Sequence, residues 1–119
     1  MILATRIKLV VAETPEIPLP GVKVVLYDRD EHSMDDYLGV AVTDEKGEAR
    51  IAFESEAYAD EEDLPLWKLD SLPDLYVMVY SPSGEVMLTT RQEVDWDNLP
   101  QQILVGVPEE TARSFGLID

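Results

Sequence analysis

Seven short stretches of the chain carry apolar residues at every second position. Ile7, Leu9 and Val11 alternate with Arg6, Lys8 and Val10, and Val22, Val24 and Leu26 alternate with Lys23, Val25 and Tyr27. Residues 38–43, 48–53, 75–80, 85–90 and 102–107 follow the same rule. Successive side chains of a strand point to opposite faces, so a period of two buries one face of each segment and wets the other. Each stretch is rich in Val, Ile, Leu and Tyr and is bounded by turn residues. Seven such segments in 119 residues give the size and strand count of an all-β, antiparallel, immunoglobulin-like sandwich.

The connections support that reading. In TDEKGE (43–48) Gly47 stands where a short hairpin loop needs a positive φ. In SPSG (81–84) Pro82 and Gly84 form a type I turn signature. PLPG (18–21) separates the first strand from the second, because its prolines cannot donate to a central ladder. Only the tail, PEETARSFG, reads as a helix. Pro108 suits its first position, Glu109 and Glu110 suit the positive end of its dipole, and Gly116 suits its stop. No repeat, linker or low-complexity segment divides the chain, so residues 1–119 are expected to form one domain.

A chain of 119 residues can bury a core without disulfide or metal staples. Its 45% apolar and 29% charged residues match a globular protein, not an acidic disordered tail. No run reaches the ~20 apolar residues of a membrane span. Arg6 and Lys8 interrupt the apolar start and no cleavage site follows, so no secretory signal is expected. Cysteine is absent, which removes disulfides and thiolate chemistry and makes a reducing, cytoplasmic setting the expectation. The formal charge of −16 argues against nucleic acid and anionic lipid, which are bound by clustered Lys and Arg. Calcium ions and basic proteins are the partners that such a field favours.

Residues 21–53 read GVKVVLYDRD…DDYLGVAVTDEKGEARIAF. This stretch resembles the transthyretin-like and carboxypeptidase-regulatory-like domains. In those, G-V-x-V-x-L-Y-D precedes an acidic loop and then L-G-x-x-x-T-D-x-x-G-x-x-x-I. The resemblance implies a sandwich serving as a binding, accessory or structural module, with no catalytic residues to carry over.

Antiparallel strands joined by tight turns at 44–47 and 81–84 place the long connections 28–37, 54–74 and 91–98 together at the opposite pole. Those 39 residues hold 16 of the 25 acids and only Arg29, Lys68 and Arg91 as bases, so −13 of the −16 is expected at one end. Two like charges about 4 Å apart repel by roughly 1 kcal/mol in water and roughly 4 at an effective dielectric near 20. The loops must splay, or a multivalent cation must hold them. Oxygen ligands on flexible loops, with no Cys and one His, are calcium chemistry rather than zinc, iron or copper chemistry. The candidate metal ligands are Asp28, Asp30, Asp35 and Asp36, faced by Asp95 and Asp97, with Asp60, Glu61, Glu62 and Asp63 as a second site.

The loop is not an EF-hand. Counting from Asp28, His32, Ser33 and Gly39 stand where Asp or Asn, Gly and Glu are required. DEHSMDD (30–36) and DWD (95–97) instead resemble the shared-calcium loops of C2-type sandwiches. In size, acidity and lack of cysteine the chain is also similar to the small non-EF-hand calcium-binding proteins of heterocyst-forming cyanobacteria.

Two other readings compete. An interaction module would dock a basic protein through the acidic pole. A carbohydrate-binding module would use Trp67, Trp96, Tyr37 and Tyr58, which map to the same pole. Catalysis is not expected: His32 is the sole histidine, its neighbour Ser33 cannot pair with it as nucleophile and base, and no G-x-S-x-G, Walker or G-x-G-x-x-G motif occurs.

Overall fold

Strand β1 (Ile2–Val11) is the spine of one sheet. The computed structural model describes residues 2–30, 34–55, 72–94 and 98–119. On one side β1 pairs antiparallel with β5 (Glu48–Glu54) from Ile2 to Lys8, and with β2 (Thr14–Pro18) at Val10 and Val11. On its other side it pairs with β8 (Gln102–Val107), Arg6 opposite Gln102 through Val11 opposite Val107, and these two strands run parallel. The second sheet has the order β4 (Asp36–Val42), β3 (Lys23–Asp28), β6 (Leu75–Tyr80), β7 (Val86–Thr89), antiparallel throughout.

Two expectations need correction. The described residues form eight strands, not seven, because β2 runs through Pro15 and Pro18. Proline is barred from a central ladder, but β2 lies at the end of β1 with only a short pairing, where a missing N–H donor costs little. The sheets are also not wholly antiparallel. β8 returns alongside β1 in the same direction, a long-range pairing that no local turn specifies.

The alternating pattern does place the core. Ile7, Leu9, Val11, Ala49, Ile51, Phe53, Val105 and Val107 from the first sheet pack against Val24, Leu26, Leu38, Leu75, Val77 and Val79 from the second. Fully burying such a side chain is worth roughly 1.5–3 kcal/mol. The predicted helix forms at Glu109–Ser114 (α1), with Pro108 at its N-cap, one place before the expected first position. Ala112 docks it on the core, and Gly116 (φ +76°) ends it with its N–H on the Arg113 carbonyl.

Both tight turns form as expected. Gly47 (φ +74°) closes the first, with its N–H 2.9 Å from the Asp44 carbonyl and Asp44 Oδ1 accepting the Lys46 and Glu48 N–H groups. In the second, the Gly84 N–H reaches the Ser81 carbonyl at 2.9 Å. The β3–β6 register puts Lys23 and Tyr80 at this turn end and Asp28 and Leu75 at the other.

Candidate functional site: the acidic pole

β3 ends at Asp28, which sits directly across from Asp36 at the start of β4. Asp28 is only 7% exposed. Its Oδ1 accepts the Asp74 N–H at 2.7 Å, and the Arg29 N–H donates to the Asp74 carbonyl at 2.9 Å. Two of the acid-rich connections are thereby tied together at their ends. The third joins them: Asn98 N–H donates to the Pro73 carbonyl at 3.0 Å, and Arg29 Nη1 to the Arg91 carbonyl at 2.8 Å. Burial, then the nearby Asp74, Asp36 and Asp30 charges, push the Asp28 carboxyl up to about 7, against the lowering effect of the Asp74 N–H.

Asp35 has the opposite environment. Its oxygens accept Arg91 Nε at 2.8 Å, the Tyr76 hydroxyl at 2.5 Å, the Asp30 N–H at 3.0 Å and, more weakly, Arg91 Nη2 at 3.4 Å. The Arg91 hydrogen bond chiefly, with Tyr76 and the Asp30 N–H, holds this carboxyl well below the usual carboxylate range. Burial and then the Asp35 carboxylate push the Tyr76 phenol up to about 12. Tyr76 stacks on Tyr27 (5.4 Å, 13°), Tyr37 meets Tyr27 edge-on (6.1 Å, 78°), and the Arg91 guanidinium lies 5.9 Å from the Tyr76 ring centre. Asp35 therefore anchors the loop to the sheet through an aromatic and cationic seat.

Of the ten candidate ligands, Asp28, Asp30, Asp35 and Asp36 gather at this pole. Asp60, Glu61, Glu62, Asp63, Asp95 and Asp97 lie outside the described residues, as do His32, Ser33, Tyr58, Trp67 and Trp96. Among the described residues no group of three or more His, Asp or Glu side chains stands close enough to hold a metal ion. Sequence reasoning counted Asp74 and Arg91 at this pole, but did not name Asp74 as a candidate ligand or Arg91 as the partner of Asp35. Antiparallel pairing of β3 with β6 brings the residue before Leu75 beside Asp28, but that pairing has to be known first.

The outer face of the second sheet adjoins the pole. Tyr37, Val40, Val42 and Val86 are exposed there, and Lys23, its only charged strand position, lies 4.9 Å over the Tyr80 ring.

The fold and the pole together define a small two-sheet β domain with an acidic end. No family model matches the chain, and no curated protein sequence matches it. Among solved structures it is similar to a 9R-lipoxygenase from Cyanothece PCC8801, at 20% identity and a TM-score of 0.60 over 89% of this chain. The chain spans 17% of that enzyme's length, and at this identity the likeness concerns the fold alone. No described helix is long and apolar enough to cross a membrane.

Proposed function

We propose that this chain is a non-enzymatic calcium-binding domain of transthyretin-like sandwich type that takes the ion at its acidic pole. One observation carries the reading: the buried Asp28 carboxylate is hydrogen-bonded to the start of β6 and lies across from Asp36, so acid-rich connections meet at one place. Asp28, Asp30, Asp36 and Asp74 are the described carboxylates nearest that junction. Asp60, Glu61, Glu62, Asp63, Asp95 and Asp97 supply the rest of the shell in this reading, since calcium takes six to eight oxygens at irregular geometry. Asp35 orients the loop, its oxygens being occupied by Arg91, Tyr76 and the Asp30 N–H. Calorimetric titration and thermal unfolding at matched ionic strength test it. Saturable calcium binding that is lost in Asp28→Asn/Asp74→Asn supports the site. No heat and no shift at millimolar calcium removes it, and an equal response to magnesium reduces the pole to a diffuse charge sink.

The second reading, a module that docks a basic protein partner, is favoured by the apolar outer face beside the pole, with Tyr37, Val40 and Val42 exposed on one edge strand. An exposed apolar edge offers unpaired backbone groups to an added strand. A peptide of alternating lysine and valine, captured with chelator present and released by salt or by Val42→Asp, would favour it. A sequence-scrambled control captured equally well would count against it.

A further inference from the structure

The outer face of the first sheet differs in charge from the rest of the molecule. Its outward positions on β1 and β5 carry Arg6, Lys8 and Arg50 against Glu48 and Glu54, one more base than acid in a chain of −16. Arg6 and Arg50 are direct cross-strand partners, and Arg6 is in turn the partner of Gln102 on β8. Side chains placed opposite each other in this way have Cβ atoms about 4.5–5.5 Å apart, and like charges so placed destabilise a sheet. Glu48 does little to relieve them: its carboxylate is 3.8 Å from Arg6 Nε, on a guanidinium 54% exposed. Arg50 forms no ion pair among the described residues. Lys8 turns away and donates to the Lys46 carbonyl at 2.6 Å.

The arginine pair lines an open concavity of about 450 Å³ with Ala4, Thr5, Gln101 and Gln102. Its rim is fixed, since the Arg6 N–H donates to the Gln101 carbonyl at 3.0 Å and the buried Thr5 hydroxyl to the Pro100 carbonyl at 2.7 Å. Alanines occupy the neighbouring cross-strand pair, Ala4 and Ala52, and leave the floor open. Its lining thus includes two guanidinium-bearing and two amide-bearing residues. All four can donate to oxygen, and Arg matches tetrahedral oxyanions in a bidentate manner.

We propose that this concavity binds a phosphate group, held between Arg6 and Arg50 with Gln101 and Gln102 completing the cradle. Phosphate carries enough oxygens to accept from both guanidinium forks at once, whereas a single carboxylate has only two. The acidic pole does not forbid it. Arg50 and Glu54 are four positions apart on β5, roughly 13 Å at ~3.3 Å per residue, which exceeds the ~8 Å screening length at physiological salt. The site is separate from the calcium pole and stands or falls independently of it.

The test is amide-shift titration at constant ionic strength, following residues 6, 50 and 102, with inorganic phosphate, adenosine monophosphate and acetate as separate arms. Saturable shifts with phosphate, at least tenfold tighter than with acetate, are expected. Preference for the mononucleotide over inorganic phosphate would identify a phosphomonoester as the ligand. Arg50→Gln and Arg6→Gln should each weaken binding by about tenfold, while Lys8→Gln leaves it unchanged. Without phosphate, Arg50→Gln should unfold no earlier than the parent, because it removes a like-charge pair. Non-saturable shifts, equal affinity for acetate, or an Arg50→Gln protein that binds normally would overturn the proposal.

Discussion

Asp28 and Asp35 lie seven residues apart and titrate in opposite directions for reasons that can be named atom by atom. Burial dominates at Asp28 and lifts its carboxyl to about 7, above the ~3.9 of an unfolded chain. Between those values the folded state keeps a proton that the unfolded state has released, so stability falls as pH rises from about 4 to about 7. Asp28→Asn keeps the acceptor for the Asp74 N–H and removes the charge. We predict that it is more stable than the parent at about pH 8, on the order of 2–4 kcal/mol, with the difference vanishing below about pH 4. Urea midpoints across that range check it, and a less stable variant at pH 8 would show that the carboxylate itself is needed there. For Asp35 the Arg91 hydrogen bond dominates and lowers the carboxyl, so its contribution is present above about pH 4 and is lost as pH falls further. Arg91→Ala should destabilise the fold at neutral pH, modestly because the Arg91 side chain is 38% exposed, and should flatten the acid limb of the stability curve. The sequence marks this loop as acidic, but it cannot say which of the adjacent Asp35 and Asp36 is held by an arginine 56 residues away.

Elements were legible where side-chain alternation or turn chemistry defines them, and illegible where pairing partners decide. The seven alternating stretches each became a strand, and TDEKGE and SPSG became turns, because Val and Ile at period two and glycine at positive φ act locally. β2 was hidden because its prolines signal a break unless the strand is known to lie at an edge. The parallel return of β8 was hidden because hydrophobic alternation is the same for parallel and antiparallel neighbours. Two glycines show how tightly the elements meet. A Cβ on Gly47 would lie 2.5 Å from the Leu9 carbonyl oxygen and at φ +74°, so Gly47→Ala combines left-handed strain of about 1–2 kcal/mol with a backbone clash. A Cβ on Gly39 would lie 2.6 Å from Ile51 Cγ2, where β4 packs against β5. Gly39→Ala should therefore cost about 1–3 kcal/mol through overpacking. Thermal or denaturant unfolding measures both. Adding Ile51→Val should leave the Gly47→Ala cost unchanged. It should recover little of the Gly39→Ala cost, since Cγ2 remains, whereas Ile51→Ala should recover more.

At the scale of the whole molecule, charge is sorted by surface. Among the described residues Asp28, Asp30, Asp35, Asp36 and Asp74 gather at one pole, the outward positions of β1 and β5 carry one more base than acid, and the strand positions on the outer face of the second sheet are apolar and aromatic but for Lys23 and Thr89. That Asp28, Asp30, Asp35 and Asp36 share an end followed from the turn pattern, while the difference between the two outer faces needed register, since it depends on which alternate residues face inward. A net charge of −16 opposes compaction by self-repulsion, most strongly where carboxylates stand together. That repulsion is long-range at low salt and screened at high salt, the Debye length falling from ~30 Å at ~0.01 M to ~3 Å at ~1 M. Sodium chloride should therefore raise the unfolding midpoint at neutral pH, with most of the gain below ~0.2 M, where the screening length shrinks past the spacing of neighbouring loops. At about pH 4 the gain should diminish, because carboxylates protonate and the repulsion goes with them. Salt-dependent thermal unfolding at the two pH values measures the contrast. A midpoint that drops with salt at neutral pH would mean that attractive pairs such as Asp35–Arg91, which salt weakens, outweigh the crowded acids in the energetics of this fold.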